Sequence, residues 1–414
     1  VEIGLSLSLT SNKGVGGFRP SATAVARIQA LGLEDATSQL LFAEDWDDLS
    51  DWTVTDANGA ISVAGNILTV SNTSGGVNLL HQNSAWASET EPYVLEFDWD
   101  YDSGNVRCLL GTGITGQAFI NVSGTTLTIA GSDLVAATVT PTNFAATERN
   151  RVLMAVDPVG LEVHFYLLHL NTAASDQYTY LGTKTIASAP NRLTFLTGSA
   201  AAGVTVRAVR IWRAWGATVG DSLATGSPLY SPVSRKLASP DVQSQIAYWI
   251  EQDQAGSKRV LNFGKGGQGF AHVQIIDTDW LNRIPVKVAF VWVGTNNIGS
   301  DSLTLEQMKT ASTDVMTVLD AAGVLAVMLN IAPRPNFTDP GPMNVKRQAY
   351  NAWLRTAAGP LNAIFIDDAS LIAKPDDAND LQDAYNADDV HLTVAGYTVV
   401  GDLIMTKLRE YGAA

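Results

Sequence analysis

As far as about residue 213, short apolar runs alternate with clusters of Gly, Asn and Ser. The runs at 60–70, 93–98, 125–130, 151–156, 161–168 and 204–212 are rich in Val, Ile, Thr and Leu. Their period-two alternation and spacing predict an antiparallel β-sandwich. From residue 214 the pattern changes. Continuous apolar runs at 214–219, 258–263, 286–293, 324–331 and 363–367 predict buried parallel strands. Between and after them, helical periodicity covers 243–254, 305–322, 344–358 and 393–411. That order predicts an open parallel sheet of the α/β class. No Pro/Ser-rich linker separates 204–212 from 214–219, so the two halves are expected to be rigidly coupled. Residues 1–40 stand apart: 5–10 reads as a strand, 14–17 as a breaker and 22–31 as one short helix. A leader, an attachment arm and an oligomerisation element are all open readings of this segment. The expected domains are therefore 1–40, 41–213 and 214–414.

A chain of 414 residues is too long for one ordinary core, which agrees with this division. Nearly half the residues are apolar and few are charged, as in a well-packed globular protein. The formal charge of -15 disfavours nucleic acid or an anionic membrane as partner. No stretch approaches the roughly 18 apolar residues of a membrane span, and Val1-Glu2-Ile3-Gly4 lacks the basic flank and apolar run of a signal peptide. Cys108 is the only cysteine, so no intrachain disulfide forms.

Three short motifs carry chemistry. Gly220-Asp221-Ser222-Leu223 follows the first parallel strand, where α/β sheets gather functional groups. Ser222 is a candidate nucleophile that needs a base; Gly-Asp-Ser is equally good turn chemistry. Gly294-Thr295-Asn296-Asn297 ends the third strand, and Asn296 can donate to an oxyanion or cap a helix. Asp388-Asp389-Val390-His391 places a carboxylate three residues before an imidazole, so a single turn can join them. The alternative there is a helix cap near Thr393 with His391 exposed. Of the five histidines only His272 and His391 fall in this half, and His272 reads as a surface or substrate-contact residue. Between these motifs, Asn262-Phe263-Gly264-Lys265-Gly266-Gly267-Gln268-Gly269 is a Gly-rich loop that lets backbone approach a ligand. The acidic run Asp376-Asp377-Ala378-Asn379-Asp380 lacks the Gly and terminal Glu of a calcium loop and reads as solvated.

In this order and on this strand pattern, the four blocks resemble the SGNH hydrolase superfamily, the GDSL esterases and lipases. The resemblance covers roughly 214–414 and implies a flavodoxin-like α/β/α fold. It implies a triad of Ser222, His391 and Asp388. It also implies an oxyanion hole of the Ser222 N–H, the Gly267 N–H (with Gly266 as the alternative) and the Asn296 side chain, without metal or cofactor. Asn297 departs from the Asp often found after the third-block Asn. The implied activity is acyl-ester hydrolysis, with short-chain acyl esters or O-acetylated carbohydrate as substrate.

Leu41-Phe42-Ala43-Glu44-Asp45-Trp46, followed by Trp52, loosely resembles the opening of concanavalin-like jelly-roll modules. That implies glycan binding on exposed aromatics. Trp46, Trp52 and Trp86 are the candidates, with Trp99 and Tyr101 behind them; core packing is the competing reading for each. Arm, sandwich and esterase in series are similar to phage tail proteins that deacetylate polysaccharides, which implies an extracellular or virion-associated protein with a homo-oligomer formed through 1–40. Two other readings stay open: a glycan-binding virion protein with a degenerate hydrolase fold, and a lipase or thioesterase for longer chains.

Overall fold

The computed structural model describes residues 18–33, 40–56, 60–72, 78–83, 85, 90–111, 118–124, 126–132, 136–139, 149–169, 179–198, 202–226, 245–254, 257–274, 283–284, 286–337 and 339–413. The expected strand at 5–10 and the breaker at 14–17 lie outside them, as does Trp86.

Two antiparallel sheets face each other in the N-terminal half. Among the described residues, one has eight strands and is centred on Tyr93–Ser103 and Ala202–Trp212, which pair with each other. The other has seven among the described residues and is centred on Asn105–Leu110 and Leu193–Thr197. The expected run at 60–70 is two strands, Ile61–Val63 and Leu68–Asn72, paired antiparallel. Gly65 and Asn66 both take positive φ between them (58° and 59°), the backbone of a tight hairpin turn.

The pleat of Tyr93–Ser103 explains how the halves join. Tyr93, Leu95, Phe97, Trp99 and Tyr101 point into the sandwich core. Val94, on the opposite face, joins Leu153, Ala155, Tyr166 and Leu168 in one cluster with Ala217, Val219, Leu261 and Phe263 of the C-terminal half. On that face too, Glu96 is fully buried and paired with Arg259 (Nε to Oε2 2.8 Å). Arg259 also meets Glu251 at 2.6 Å. The sheet is thus covered on both sides, and only Arg213 separates Ala202–Trp212 from Ala214–Gly220.

Among the described residues the C-terminal sheet has five parallel strands in the order Arg259–Asn262, Ala214–Gly220, Val288–Trp292, Leu325–Leu329, Ile364–Ile366. The long helices Leu305–Ala321, Pro340–Ala357 and Val394–Gly412 each start and stop within a few residues of the expected bounds. Their buried residues fall into two clusters, one on each face of the sheet. Thr304 opens the first of these helices with a capping box closed by Gln307.

The helix Ala22–Ala30 forms as expected, but it does not stand apart. Ile28 and Leu31 are buried among Trp215, Val260 and Ile404. Arg27 pairs with Asp320 at 2.6 Å, and the Trp215 indole donates to the Leu31 carbonyl at 3.0 Å. This stretch packs onto the C-terminal half.

Trp46 and Trp52 are also core residues, 0% and 4% exposed, with ring centroids 5.0 Å apart. The Trp46 indole donates to the Arg207 carbonyl and the Trp52 indole to Glu44. Neither offers a ring face to a sugar, and Trp99 and Tyr101 are buried likewise.

Candidate active site

The strand Ala214–Gly220 delivers Ser222 to the carboxyl end of the sheet. Gly220 has φ 151°, and a Cβ there would lie 1.8 Å from the Trp292 carbonyl oxygen, so the turn needs glycine. Asp221 then caps the short helix Ser222–Thr225, its side chain accepting the Leu223 N–H at 3.0 Å. Ser222 is the first residue of that helix and is 6% exposed.

The loop 386–392 brings the other two groups. Asp389 takes a left-handed turn (φ 66°) and exchanges hydrogen bonds with Asn386 at 2.7 and 2.8 Å. Inside that turn Asp388 accepts the backbone N–H of Val390 and of His391. The same carboxylate receives His391 Nδ1 at 2.8 and 3.0 Å. His391 Nε2 lies 2.8 Å from Ser222 Oγ. With Nδ1–H donated to the carboxylate, Nε2 is left to accept the serine proton. Loss of solvent pushes the Asp388 carboxyl up, but the hydrogen bonds from His391 and Val390 together hold it below its ordinary value. Thr393 caps the following helix, so neither aspartate is needed there.

Asn296 lies in the first turn of the helix Thr295–Gly299. Its amide donates to the Gln268 carbonyl at 2.7 Å, which fixes the side chain while leaving a second N–H. Asn297 plays a different part. Its Oδ1 accepts the Phe270 N–H at 2.9 Å and its Nδ2 donates to Ser302 at 3.1 Å. It clamps the Gly-rich loop to the third strand's exit.

That loop is built around two residues. Asn262 accepts the Gly264 N–H at 2.9 Å and donates to Gln245 at 3.1 Å. Gly264 lies so close to the helix Ser222–Thr225 that a Cβ would be 2.7 Å from the Thr225 nitrogen. Gly267 follows with φ 72° and open space where a Cβ would stand. Among the described residues, the Ser222 and Gly267 backbone N–H groups make no hydrogen bond within the protein.

Two residues near the site are not singled out by the sequence pattern. Arg334, past the fourth strand, reaches back to the Thr295 carbonyl and is held by Asn336 at 2.9 Å. Burial lowers its ordinary value, while the nearby charges of Asp221 and Asp388 raise it. Its signal was position, since it too follows the carboxyl end of a parallel strand. The second is Asp221, which is completely buried.

His272 is buried, not on the surface, and its ring sits 3.3 Å from the Phe263 carbonyl. The acidic run is organised by Arg347, which donates to the Ala378 carbonyl at 2.7 Å and to Asn379 at 3.0 Å. Lys374 pairs with Asp380 at 2.6 Å. Among the described residues no cluster of His, Cys, Asp and Glu has the arrangement to hold a metal ion, and no helix is long and apolar enough to cross a membrane.

Residues 218–399 match the GDSL-like lipase/acylhydrolase family. The platelet-activating factor acetylhydrolase IB subunit alpha1 of Homo sapiens is 32% identical over 142 residues, 34% of this chain and 59% of that protein. The chain therefore spans about three fifths of the length of such curated relatives. The alpha2 subunit of Bos taurus is 28% identical over 41% of this chain and 74% of that protein. Among solved structures, a family two carbohydrate esterase from Cellvibrio japonicus aligns with 90% of this chain and 98% of its own, at 11% identity and a TM-score of 0.37.

Proposed function

Because residues 218–399 form a GDSL/SGNH hydrolase domain, we propose that the protein is a serine carboxylester hydrolase for short acyl esters, working through an acyl-enzyme. The unbroken chain Asp388–His391–Ser222, with links of 2.8 Å at each end of the imidazole, carries this reading. Ser222 Oγ attacks the ester carbonyl as His391 Nε2 takes its proton. The imidazolium then protonates the departing alkoxide, and water repeats the sequence on the acyl-enzyme. The Ser222 and Gly267 N–H groups and the Asn296 amide are the proposed donors to the oxyanion. A connected relay weighs against a degenerate fold that only binds.

The relatives' name, acetylhydrolase, supports acetyl as the acyl group. The alcohol we propose is a carbohydrate hydroxyl, on the strength of a sandwich module packed against the C-terminal half. Trp46 and Trp52 take no part in that binding, since both are core. A series of aryl esters from acetyl to decanoyl, run beside acetate release from acetylated polysaccharide, tests both parts. Fastest turnover of the acetyl ester is expected, with acetate released from the polymer. A rate that climbs with chain length would replace this reading with a lipase or thioesterase. Aryl acetate turnover with an inert polymer would remove the carbohydrate.

A further inference from the structure

We propose that Arg334 is a specificity-determining residue whose guanidinium takes a carboxylate on the alcohol part of the ester, which makes acetylated acidic carbohydrate the preferred substrate. This rests on the esterase reading above and on Asn296 as an oxyanion donor. Arg334 follows the fourth strand, Leu325–Leu329, at the carboxyl edge where Ser222 and Asn296 also stand. Its Nη1 reaches the carbonyl of Thr295, the residue before Asn296, at 3.5 Å. Gly299 leaves room for it, since a Cβ there would lie 2.8 Å from Nη1. Nε donates to Asn336 at 2.9 Å, and the group lies over the Phe337 ring, 5.2 Å from its centroid. These neighbours fix the guanidinium against the helix that carries Asn296.

What the guanidinium lacks is an anion. Nη2 makes no hydrogen bond among the described residues, and none of their carboxylates lies within ion-pair distance. Burial lowers its ordinary value and the Asp221 and Asp388 charges act against that. Those carboxylates are engaged elsewhere, Asp388 with His391 and Asp221 with the Leu223 N–H. Acidic residues outnumber basic ones by 41 to 26 in this chain, and Arg151, Arg259 and Arg409 each meet a carboxylate. Lys265 follows the second strand, and its backbone N–H donates to the Gly220 carbonyl at 2.9 Å. Its ammonium also makes no ion pair among the described residues. In the sheet order, the strands that precede Lys265 and Arg334 bracket the two that precede Ser222 and Asn296. Two cations without carboxylate partners therefore flank the site. The open Nη1–Nη2 edge of Arg334 is a planar fork that matches a carboxylate. An acetyl group carries no charge, so the anion belongs to the alcohol. The formal charge of -15 does not oppose this at short range, because exposed charges beyond about 8 Å are screened in physiological salt.

The experiment measures kcat/KM for 3-acetoxybenzoate and for its uncharged methyl ester with the wild type, Arg334→Gln and Arg334→Lys. Intact sites are counted by titration with a fluorophosphonate. The wild type should prefer the anion. Arg334→Gln should lower the anion-to-neutral ratio by about ten- to a hundredfold, the range of a hydrogen bond to a charged group. The ratio cancels any displacement of Asn296, since both esters need the same oxyanion donors. Arg334→Lys keeps the charge without the fork and should recover part of the preference. With the unaltered protein, benzoate should inhibit methyl ester turnover competitively where benzamide does not. Acetate should also leave acetylated polygalacturonate faster than acetylated xylan. An unchanged ratio, or faster release from xylan, would overturn the assignment. If the variants fail to fold, equal inhibition by benzoate and benzamide would overturn it. A wild type that hydrolyses neither ester would sink the hydrolase reading itself; hydrolysis of both with equal efficiency would sink only this one.

Discussion

Asn296 and Asn297 are neighbours in sequence with different contacts and different proposed roles, and replacing each by Ala separates transition-state stabilisation from scaffold stability. Loss of one side-chain oxyanion donor costs about 2.7–4 kcal/mol. Asn296→Ala also frees the Gln268 carbonyl, whose bond to the amide is 2.7 Å long; a net hydrogen bond of that kind contributes about 1 kcal/mol. That bond is made in the ground and transition states alike, so only the oxyanion donor's about 2.7–4 kcal/mol falls on kcat, a loss of roughly a hundred- to a thousandfold. KM should hold, because the charge develops only in the transition state. Asn297→Ala removes the acceptor of the part-buried Phe270 N–H. An orphaned donor there costs about 1–3 kcal/mol of folding stability. The loop carrying Gly267 loosens, yet no donor to the substrate is lost, so kcat should fall by no more than about tenfold. Steady-state kinetics on an aryl acetate and urea unfolding of both variants read the two effects separately. Equal kcat losses, or an Asn296→Ala effect confined to KM, would refute the division of labour.

Ser222→Ala should fold normally, lose at least about a thousandfold in kcat and escape labelling by a fluorophosphonate; labelling at another residue would move the nucleophile. Asp388→Asn should lower kcat by about 10⁴, as loss of the orienting carboxylate does in serine proteases, and a loss under tenfold would show that the turn alone holds His391. Arg259→Met should destabilise by about 3–5 kcal/mol, because Glu96 and Glu251 are then left facing each other without a cation. That stability loss should shrink as pH falls and the carboxylates protonate; a pH-independent loss would rule out the electrostatic cause. His164 is desolvated, and its ordinary value drops to about 4, with the Arg283 charge contributing. The unfolded chain then takes up a proton near pH 6.5 that the native state refuses, so stability should fall between about pH 6.5 and pH 4; urea unfolding of His164→Gln should show a shallower fall, and an identical slope would exclude His164.

The site was legible where its geometry is local. Asp388 and His391 are three residues apart, so one turn suffices, and the turn is completed by Asn386 and Asp389 from the same stretch. Ser222 and Asn296 each stand just past an apolar run, and a parallel sheet brings all such ends to one edge. Where contacts are long-range, the sequence was silent. Nothing near Arg334 signals that it reaches Thr295, and nothing near Arg347 signals that it sits inside the acidic loop, where a metal cation would otherwise be sought. Trp46 and Trp52 look alike whether they bind sugar or fill a core. Only the packing decides for the core, with Phe195 meeting Trp46 edge-on and Trp52 at a tilt.

The 93–98 strand shows the limit most clearly, and it bears on function. In sequence, Glu96 and Asp98 alternate with Leu95, Phe97 and Trp99, the pattern of a sheet with one wet face. In the fold that face is closed: Glu96 is held by Arg259, and Asp98 by Arg151 at 2.7 Å. Buried ion pairs are poor sources of net stability, because desolvation offsets much of their attraction. They do penalise any docking that separates the partners. Arg259 begins the edge strand that pairs with Ala214–Gly220, and it pairs there with Ala214 itself. One residue before Ala214, the chain leaves the strand that Glu96's own strand pairs with, Arg210 opposite Glu96. A sandwich shifted against the catalytic sheet must therefore break the Glu96–Arg259 pair and pull on the strand that ends at Gly220, two residues from Ser222. By this argument the sandwich acts on catalysis by holding the register of the nucleophile's strand, whether or not it also binds a glycan.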